Sequence, residues 1–168
     1  MGDNIKLTVD GQVVEVKRGT TVLQAAKAAG IEIPTLCFLE EINEIGACRV
    51  CVVEVRGGRG LQASCVLPAQ DGMVIRTNTP EVRQARRVNV ELILSNHPNN
   101  CLTCGRNTSC ELQKLAADLN VNAMSFEGQK AEWPLDLSNP SIVRDPNKCI
   151  LCRRCVAVCH QVDRKSVV

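Results

Sequence analysis

Aromatic residues are almost missing from this chain. Only 2% of its 168 residues are aromatic: two Phe, one Trp and no Tyr. A core anchored on large rings is therefore excluded, and a small domain without such anchors needs another staple, which bound metal can supply. A strong charge of either sign is lacking too. The net charge is +2, which gives no ground for a nucleic-acid partner. Arg83, Arg86 and Arg87 form one local basic stretch. It reads as a solvated helix face, with a docking patch for an acidic partner as the sharper alternative. No apolar run is long enough to cross a bilayer, so membrane insertion is not expected. The start, Met1 to Gln12, has no apolar signal-peptide core. Lys6 stands where an N-myristoylation motif needs Ser or Thr. The chain reads as cytoplasmic. A nucleotide fingerprint is also missing, since Gly57-Gly58-Arg59-Gly60 lacks the G-x-G-x-x-G spacing. With no nucleophile–base pair either, no catalytic residue is assigned, and the isolated chain is not expected to turn over a substrate.

What is present is cysteine. All eleven cysteines, with one of the two histidines, fall into three ligand sets. The first is Cys37-x10-Cys48-x2-Cys51-x13-Cys65, the second His97-x3-Cys101-x2-Cys104-x5-Cys110, and the third Cys149-x2-Cys152-x2-Cys155-x3-Cys159. A disulfide framework fits poorly, because the count is odd and cytosolic thiols stay reduced. Zinc is the stronger rival, since C-x2-C pairs also make zinc knuckles, and a zinc-stabilised interaction module is the reading from another class. Iron–sulfur chemistry is favoured because C-x2-C-x2-C-x3-C is itself the bacterial ferredoxin run.

Between the ligand sets the chain reads as α+β. Residues 4–9 alternate, with Ile5, Leu7 and Val9 on one face. Asp10-Gly11 is a hairpin signal, and Val14 and Val16 lie on the return strand. Thr21 and Gln24 form a capping box, and Gly30 is placed to end the helix. Further strands are expected at Cys51–Val55, Leu61–Val66 and Met73–Arg76, giving a β-grasp domain over residues 1–78. Thr79-Pro80-Glu81 opens a second helix whose apolar stripe is Val82, Ala85, Val88 and Leu92. It leads into the second set, and Cys110 opens a third helix with Leu112, Leu115, Ala116 and Leu119 on one face; this gives a small helical domain at 79–120. Residues 121–148, with Gly128, Pro134, Pro140 and Pro146, read as mostly irregular. The domain connector is placed at 121–140, and a partial ferredoxin domain at 141–168.

The chemistry of the sets follows from their donors. Gly46 and Ala47 precede Cys48, and small residues let backbone N–H groups approach cluster sulfur and tune its potential. The first spacing resembles the plant-type ferredoxin pattern with a longer first gap, as in bacterial [2Fe-2S] loops. In the second set neutral His97 replaces a thiolate, which removes negative charge and makes the cluster easier to reduce. In the third set the fourth cysteine of such a run serves a second cluster. Cys149, Cys152 and Cys155 therefore lack their fourth ligand, and Cys159 lacks its partners.

Taken in order, the sets resemble the N-terminal iron–sulfur region of the catalytic subunit of NAD(P)-linked multimeric [FeFe]-hydrogenases. The stretches that carry the likeness are Ile33-Pro-Thr-Leu-Cys-Phe-Leu39, Gly46-Ala-Cys-Arg-Val-Cys51, Leu94-Ser-Asn-His97, Cys110-Glu-Leu-Gln-Lys-Leu115 and Ile142-Val-Arg-Asp-Pro-Asn-Lys-Cys149. Related modules open NAD-dependent formate dehydrogenase α subunits and the large iron–sulfur subunit of complex I. The resemblance implies three things. A β-grasp [2Fe-2S] domain would use Cys37, Cys48, Cys51 and Cys65. A helical [4Fe-4S] domain would use His97, Cys101, Cys104 and Cys110. The first half of a bacterial-type [4Fe-4S] ferredoxin domain would carry Cys149, Cys152, Cys155 and Cys159. It also implies electron transfer, with flavin- and NAD(P)-handling iron–sulfur subunits as partners. The spacing of Cys159 after Cys155 favours the hydrogenase or formate dehydrogenase type over complex I. The family continues with a second ferredoxin run and a catalytic domain, whereas this chain ends in Asp163-Arg-Lys-Ser-Val-Val168, a hexapeptide that a common sequencing adapter encodes. The expectation is an N-terminal fragment, with a genuine short subunit as the rival reading.

Overall fold

The computed structural model describes residues 4–126 and 130–163. Met1, Gly128 and the tail from Arg164, all used in the sequence reading, lie outside the described residues. The chain divides into two compact units. One holds residues up to Arg86 together with those from Arg153 onward, and the other holds Arg87–Cys152.

The first unit is α+β around a mixed five-stranded sheet. In β1 (Asn4–Val9) the alternating residues Ile5, Leu7 and Val9 are all buried, as the period-2 pattern requires. Asp10 and Gly11 both adopt positive φ, 46° and 87°, so the two-residue turn has the twist that antiparallel strands need. It returns into β2 (Gln12–Lys17), with Val9 opposite Gln12 and Ile5 opposite Val16. Helix α1 (Val22–Ala28) starts at the expected capping box: the Gln24 N–H donates to Thr21 Oγ1, and the Thr21 N–H donates to Gln24 Oε1. It buries Val22, Leu23, Ala25 and Ala26. Gly30 follows in the left-handed region at φ 72°.

After the long loop of the first cysteines, β3 (Val52–Val55) pairs antiparallel with β4 (Leu61–Ala63) and with β5 (Val74–Arg76). β5 runs parallel to β1, with Val9 beside Ile75, which gives the order β2-β1-β5-β3-β4. The core beneath the sheet is aliphatic, and Cys51 and Cys65 are members of it. β4 is shorter than expected. Val66 N–H turns back to the Ala63 carbonyl, and Ser64 bonds the Cys51 carbonyl through both N–H and Oγ. The ladder therefore stops where Cys65 must turn inward. The rest of this unit's described part is a short helix at Arg154–Val158 and a wider turn at Cys159–Asp163, from which the Gln161 amide donates to the Ile42 carbonyl.

The unit boundary falls within α2 (Pro80–Ser95), capped by Thr79 Oγ1, which accepts from Val82 N–H. Its buried line is Val82, Arg86 and Val90, at i, i+4 and i+8. This corrects the expected stripe: Leu92 is exposed, and Ala85 and Val88 are only half-buried. The basic stretch is corrected too, because Arg86 is 6% exposed rather than solvated.

In the second unit α3 (Glu111–Asp118) buries Leu112 and Leu115 as expected. The region read as irregular contains a hairpin of β6 (Asp136–Asn139) and β7 (Ile142–Arg144). Pro140 sits in the turn, and Asn139 Oδ1 accepts from Ser141 N–H. Proline here initiates a turn instead of ending structure. No helix among the described residues is long and apolar enough to cross a membrane.

Candidate metal centres

The first ligand set gathers at the buried end of β3. Cys37, Cys51 and Cys65 are each 1% exposed, and Cys48 is half-buried. The loop from Cys37 is closed by Asn43, whose amide donates to the Cys37 carbonyl at 2.7 Å, and by the Asn43 N–H to the Leu39 carbonyl. The chain then turns through Gly46 at φ 61° and Arg49 at φ 54°. Gly46 is in the left-handed region that favours glycine, and a Cβ there would lie 3.2 Å from Val66 Cγ2, so any other residue must displace that side chain. The turn aims the Cys48 N–H at Cys37 Sγ, 3.5 Å away.

The donors stand as two pairs. Cys51 and Cys65 have their Sγ atoms 3.3 Å apart, and Cys48 lies against Cys37. Two sulfurs this close and this buried hydrogen-bond to each other. The hydrogen bond between the two sulfurs holds the Cys51 thiol down at about 6 against burial, while the same bond and burial push Cys65 up. Burial likewise pushes Cys37 up, partly offset by the Cys48 N–H. Cationic iron, when bound, would be held by both sulfurs as thiolates. Among the described residues no three His, Cys, Asp or Glu side chains are grouped to hold a single metal ion. Pairs suit a four-cysteine [2Fe-2S] cluster, where each iron takes two protein thiolates. The residues present fit that group.

Sequence reading missed a neighbour of this site. Arg86 Nη2 donates to the Val52 carbonyl at 2.9 Å, one residue beyond Cys51. Its Nε has no hydrogen-bond partner among the described residues. Burial pulls the guanidinium down from its ordinary value, and Cys51 and Asp10 act in the opposite direction. The available signal was its position four residues from both Val82 and Val90, on the line a helix buries.

The second set lies in one stretch of the second unit. His97 lies two residues past the end of α2, with its N–H on the Leu94 carbonyl. Cys101 opens a tight turn that Cys104 N–H closes at 3.2 Å, and Arg106 N–H points at Cys104 Sγ from 3.5 Å. Cys110 is the N-cap residue of α3 and places no side-chain bond on the helix end, so its sulfur stays free beside open N–H groups. The Asn107 and Gln113 amides brace the loop between them at 3.0 Å. All four candidate ligands are half-buried. Burial pushes the His97 imidazolium down, which favours the neutral ring, the form that binds metal. Its Nδ1 accepts from Asn99 N–H at 3.3 Å, which puts the ring proton on Nε2. Ligation through Nε2 requires that proton to leave Nε2 for Nδ1 and the Asn99 bond to open. The third set is divided by the unit boundary: Cys149 and Cys152 belong to the second unit, Cys155 and Cys159 to the first. His160, which belongs to none of the three ligand sets, is exposed.

Comparison with known proteins identifies families for the regions that carry the first two ligand sets. Residues 2–80 match the family described as 2Fe-2S iron-sulfur cluster binding domain, and residues 86–124 match the NADH-ubiquinone oxidoreductase-G iron-sulfur binding region. The NADP-reducing hydrogenase subunit HndD of Solidesulfovibrio fructosivorans is 44% identical over 98% of this chain and 29% of its own length. A subunit of the NADH-quinone oxidoreductase of Rhizobium meliloti (strain 1021) is 41% identical over 94% of this chain and 19% of its own length. The chain thus spans less than a third of these relatives. A solved NAD+-reducing [NiFe]-hydrogenase in the H2-reduced state superposes with a TM-score of 0.86 at 37% identity, covering 92% of this chain and 65% of that one. The first domain binds a [2Fe-2S] cluster and the second a [4Fe-4S] cluster. The chain belongs with the N-terminal iron–sulfur region of the subunits found in NAD(P)-linked hydrogenases and NADH–quinone oxidoreductases.

Proposed function

We propose that this chain is the electron-relay segment of a cytoplasmic NAD(P)-linked oxidoreductase. Cys37, Cys48, Cys51 and Cys65 hold a [2Fe-2S] cluster in a β-grasp domain. His97, Cys101, Cys104 and Cys110 hold a [4Fe-4S] cluster in a helical domain. Cys149, Cys152, Cys155 and Cys159 form the first run of a ferredoxin domain. The clusters, when bound, take up and release single electrons. The chain's own residues do the rest. Cys37, Cys51 and Cys65 keep water from three of the first four sulfurs by their burial. The Cys48 N–H, the left-handed turn at Gly46 and the Ser64 bonds to the Cys51 carbonyl fix the donor geometry before metal arrives. The observation that carries the reading is the paired arrangement of four cysteines at the closed end of the sheet.

The hydrogenase type is favoured by the similarity to HndD and by the spacing of Cys159 after Cys155. Within that type we assign the chain to the N-terminal part of an [FeFe]-hydrogenase catalytic subunit, working with flavin- and NAD(P)-handling iron–sulfur subunits. The second reading is a complex I-type subunit, favoured by the similarity to the NADH-quinone oxidoreductase of Rhizobium meliloti. Iron and acid-labile sulfide analysis of anaerobically purified chain tests the relay. The expected result is about six irons with matching sulfide, from one cluster of each kind. Zinc without sulfide would establish the zinc-stabilised interaction module instead.

A further inference from the structure

Arg86 is a buried cation without a carboxylate to pair it among the described residues. The residue is 6% exposed. Its hydrogen bond runs from Nη2 to the Val52 carbonyl at 2.9 Å, and its Nε has none. The acid acting on it, Asp10, is already spent: both of its oxygens accept from Thr77, one from the N–H and one from the hydroxyl. A helix that needed only an apolar contact at this position would carry Leu or Val, as it does four residues to either side, at Val82 and Val90. An unpaired buried guanidinium is costly, and that cost is offset when a fixed negative centre stands nearby. The Val52 carbonyl holds the guanidinium one residue along the chain from Cys51, a core member of the first ligand set.

We propose that Arg86 is a positioning residue for the first cluster, its fixed charge raising the reduction potential of the centre held by Cys51 and its three companions. This rests on the [2Fe-2S] reading of that site. The physics is simple. Reduction adds one electron, so the reduced centre carries one more negative charge than the oxidised one. A cation fixed nearby in a poorly solvated setting stabilises the reduced form more than the oxidised form. No proton needs to move, because a guanidinium keeps its charge across the working pH range. The sequence alone hides the role, since Arg86 sits among Arg83 and Arg87. Those two have other partners: Arg83 bonds the Asn78 carbonyl, and Arg87 pairs with the buried carboxylate of Glu91 at 3.0 Å.

The test is an EPR-monitored redox titration of the full chain, loaded anaerobically, in four forms: unsubstituted, Arg86→Lys, Arg86→Gln and Arg86→Met. Arg86→Gln can keep the bond to the Val52 carbonyl while losing the charge, and Arg86→Met keeps only the bulk. The expected result is an intact [2Fe-2S] signal whose midpoint is shifted negative in both neutral variants and little changed in Arg86→Lys. The [4Fe-4S] midpoint serves as internal reference and stays in place. Neutral variants with an intact signal at the unsubstituted midpoint would overturn the proposal. Loss of the cluster in both neutral variants would assign Arg86 to folding and overturn it equally. Absence of any [2Fe-2S] signal in the unsubstituted chain would overturn the underlying reading and the proposal with it.

Discussion

At the scale of single residues, the first site depends on a glycine as much as on its cysteines. Gly46 adopts φ 61° and faces Val66 Cγ2 at 3.2 Å from where a Cβ would stand. Gly46→Ala is expected to cost about 1–2 kcal/mol from the left-handed backbone alone, with more if Val66 cannot yield. Urea denaturation of the metal-free chain measures this, and an unchanged midpoint would show that the turn relaxes freely. His97 is the other residue where chemistry turns on one atom. With Nδ1 accepting from Asn99 N–H, the ring must change tautomer before Nε2 can bind iron. His97→Ala is expected to leave the [4Fe-4S] cluster labile, and His97→Cys to retain it at a lower potential, since a thiolate adds negative charge. A stable cluster in His97→Ala with an unmoved midpoint in His97→Cys would take His97 out of the site.

At the scale of elements, legibility tracked how local the deciding interaction is. The β1–β2 turn and the α1 capping box were readable because Asp10-Gly11 and Thr21/Gln24 decide them within four residues. Thr21→Ala is accordingly expected to cost about 1 kcal/mol, read as a lowered denaturation midpoint of the first unit. The end of β4 was not readable, because it is set by Ser64 reaching the Cys51 carbonyl thirteen residues away. The buried line of α2 was misread for a related reason. Val82, Ala85, Val88 and Leu92 satisfy helical spacing, but tertiary packing selected Val82, Arg86 and Val90 and left Leu92 exposed. The β6–β7 hairpin was hidden by its prolines, since Pro140 breaks helices and also initiates turns. For the first site, spacing named all four cysteines. It could not show that they would stand as pairs, nor that a buried arginine would stand behind one of them.

At the scale of the whole molecule, the chain is two units, and the core of the first is aliphatic and counts Cys51 and Cys65 among its residues. Cluster binding should therefore be folding energy for that unit. Removing iron with a chelator under reducing conditions is expected to lower its Tm while the strand signal of the sheet persists at low temperature. A Tm unaffected by iron would show that the aliphatic core alone sets its stability. In the proposed relay, two separate donor sets in one chain hold two different clusters. The decisive measurement is EPR of the fully reduced chain, compared with Cys65→Ala and Cys110→Ala. The unsubstituted chain should give two signals that separate by relaxation temperature, with Cys65→Ala losing only the [2Fe-2S] signal and Cys110→Ala perturbing only the [4Fe-4S] signal. A chain with no signal after reduction, or one in which either substitution abolishes both signals or neither, would contradict it.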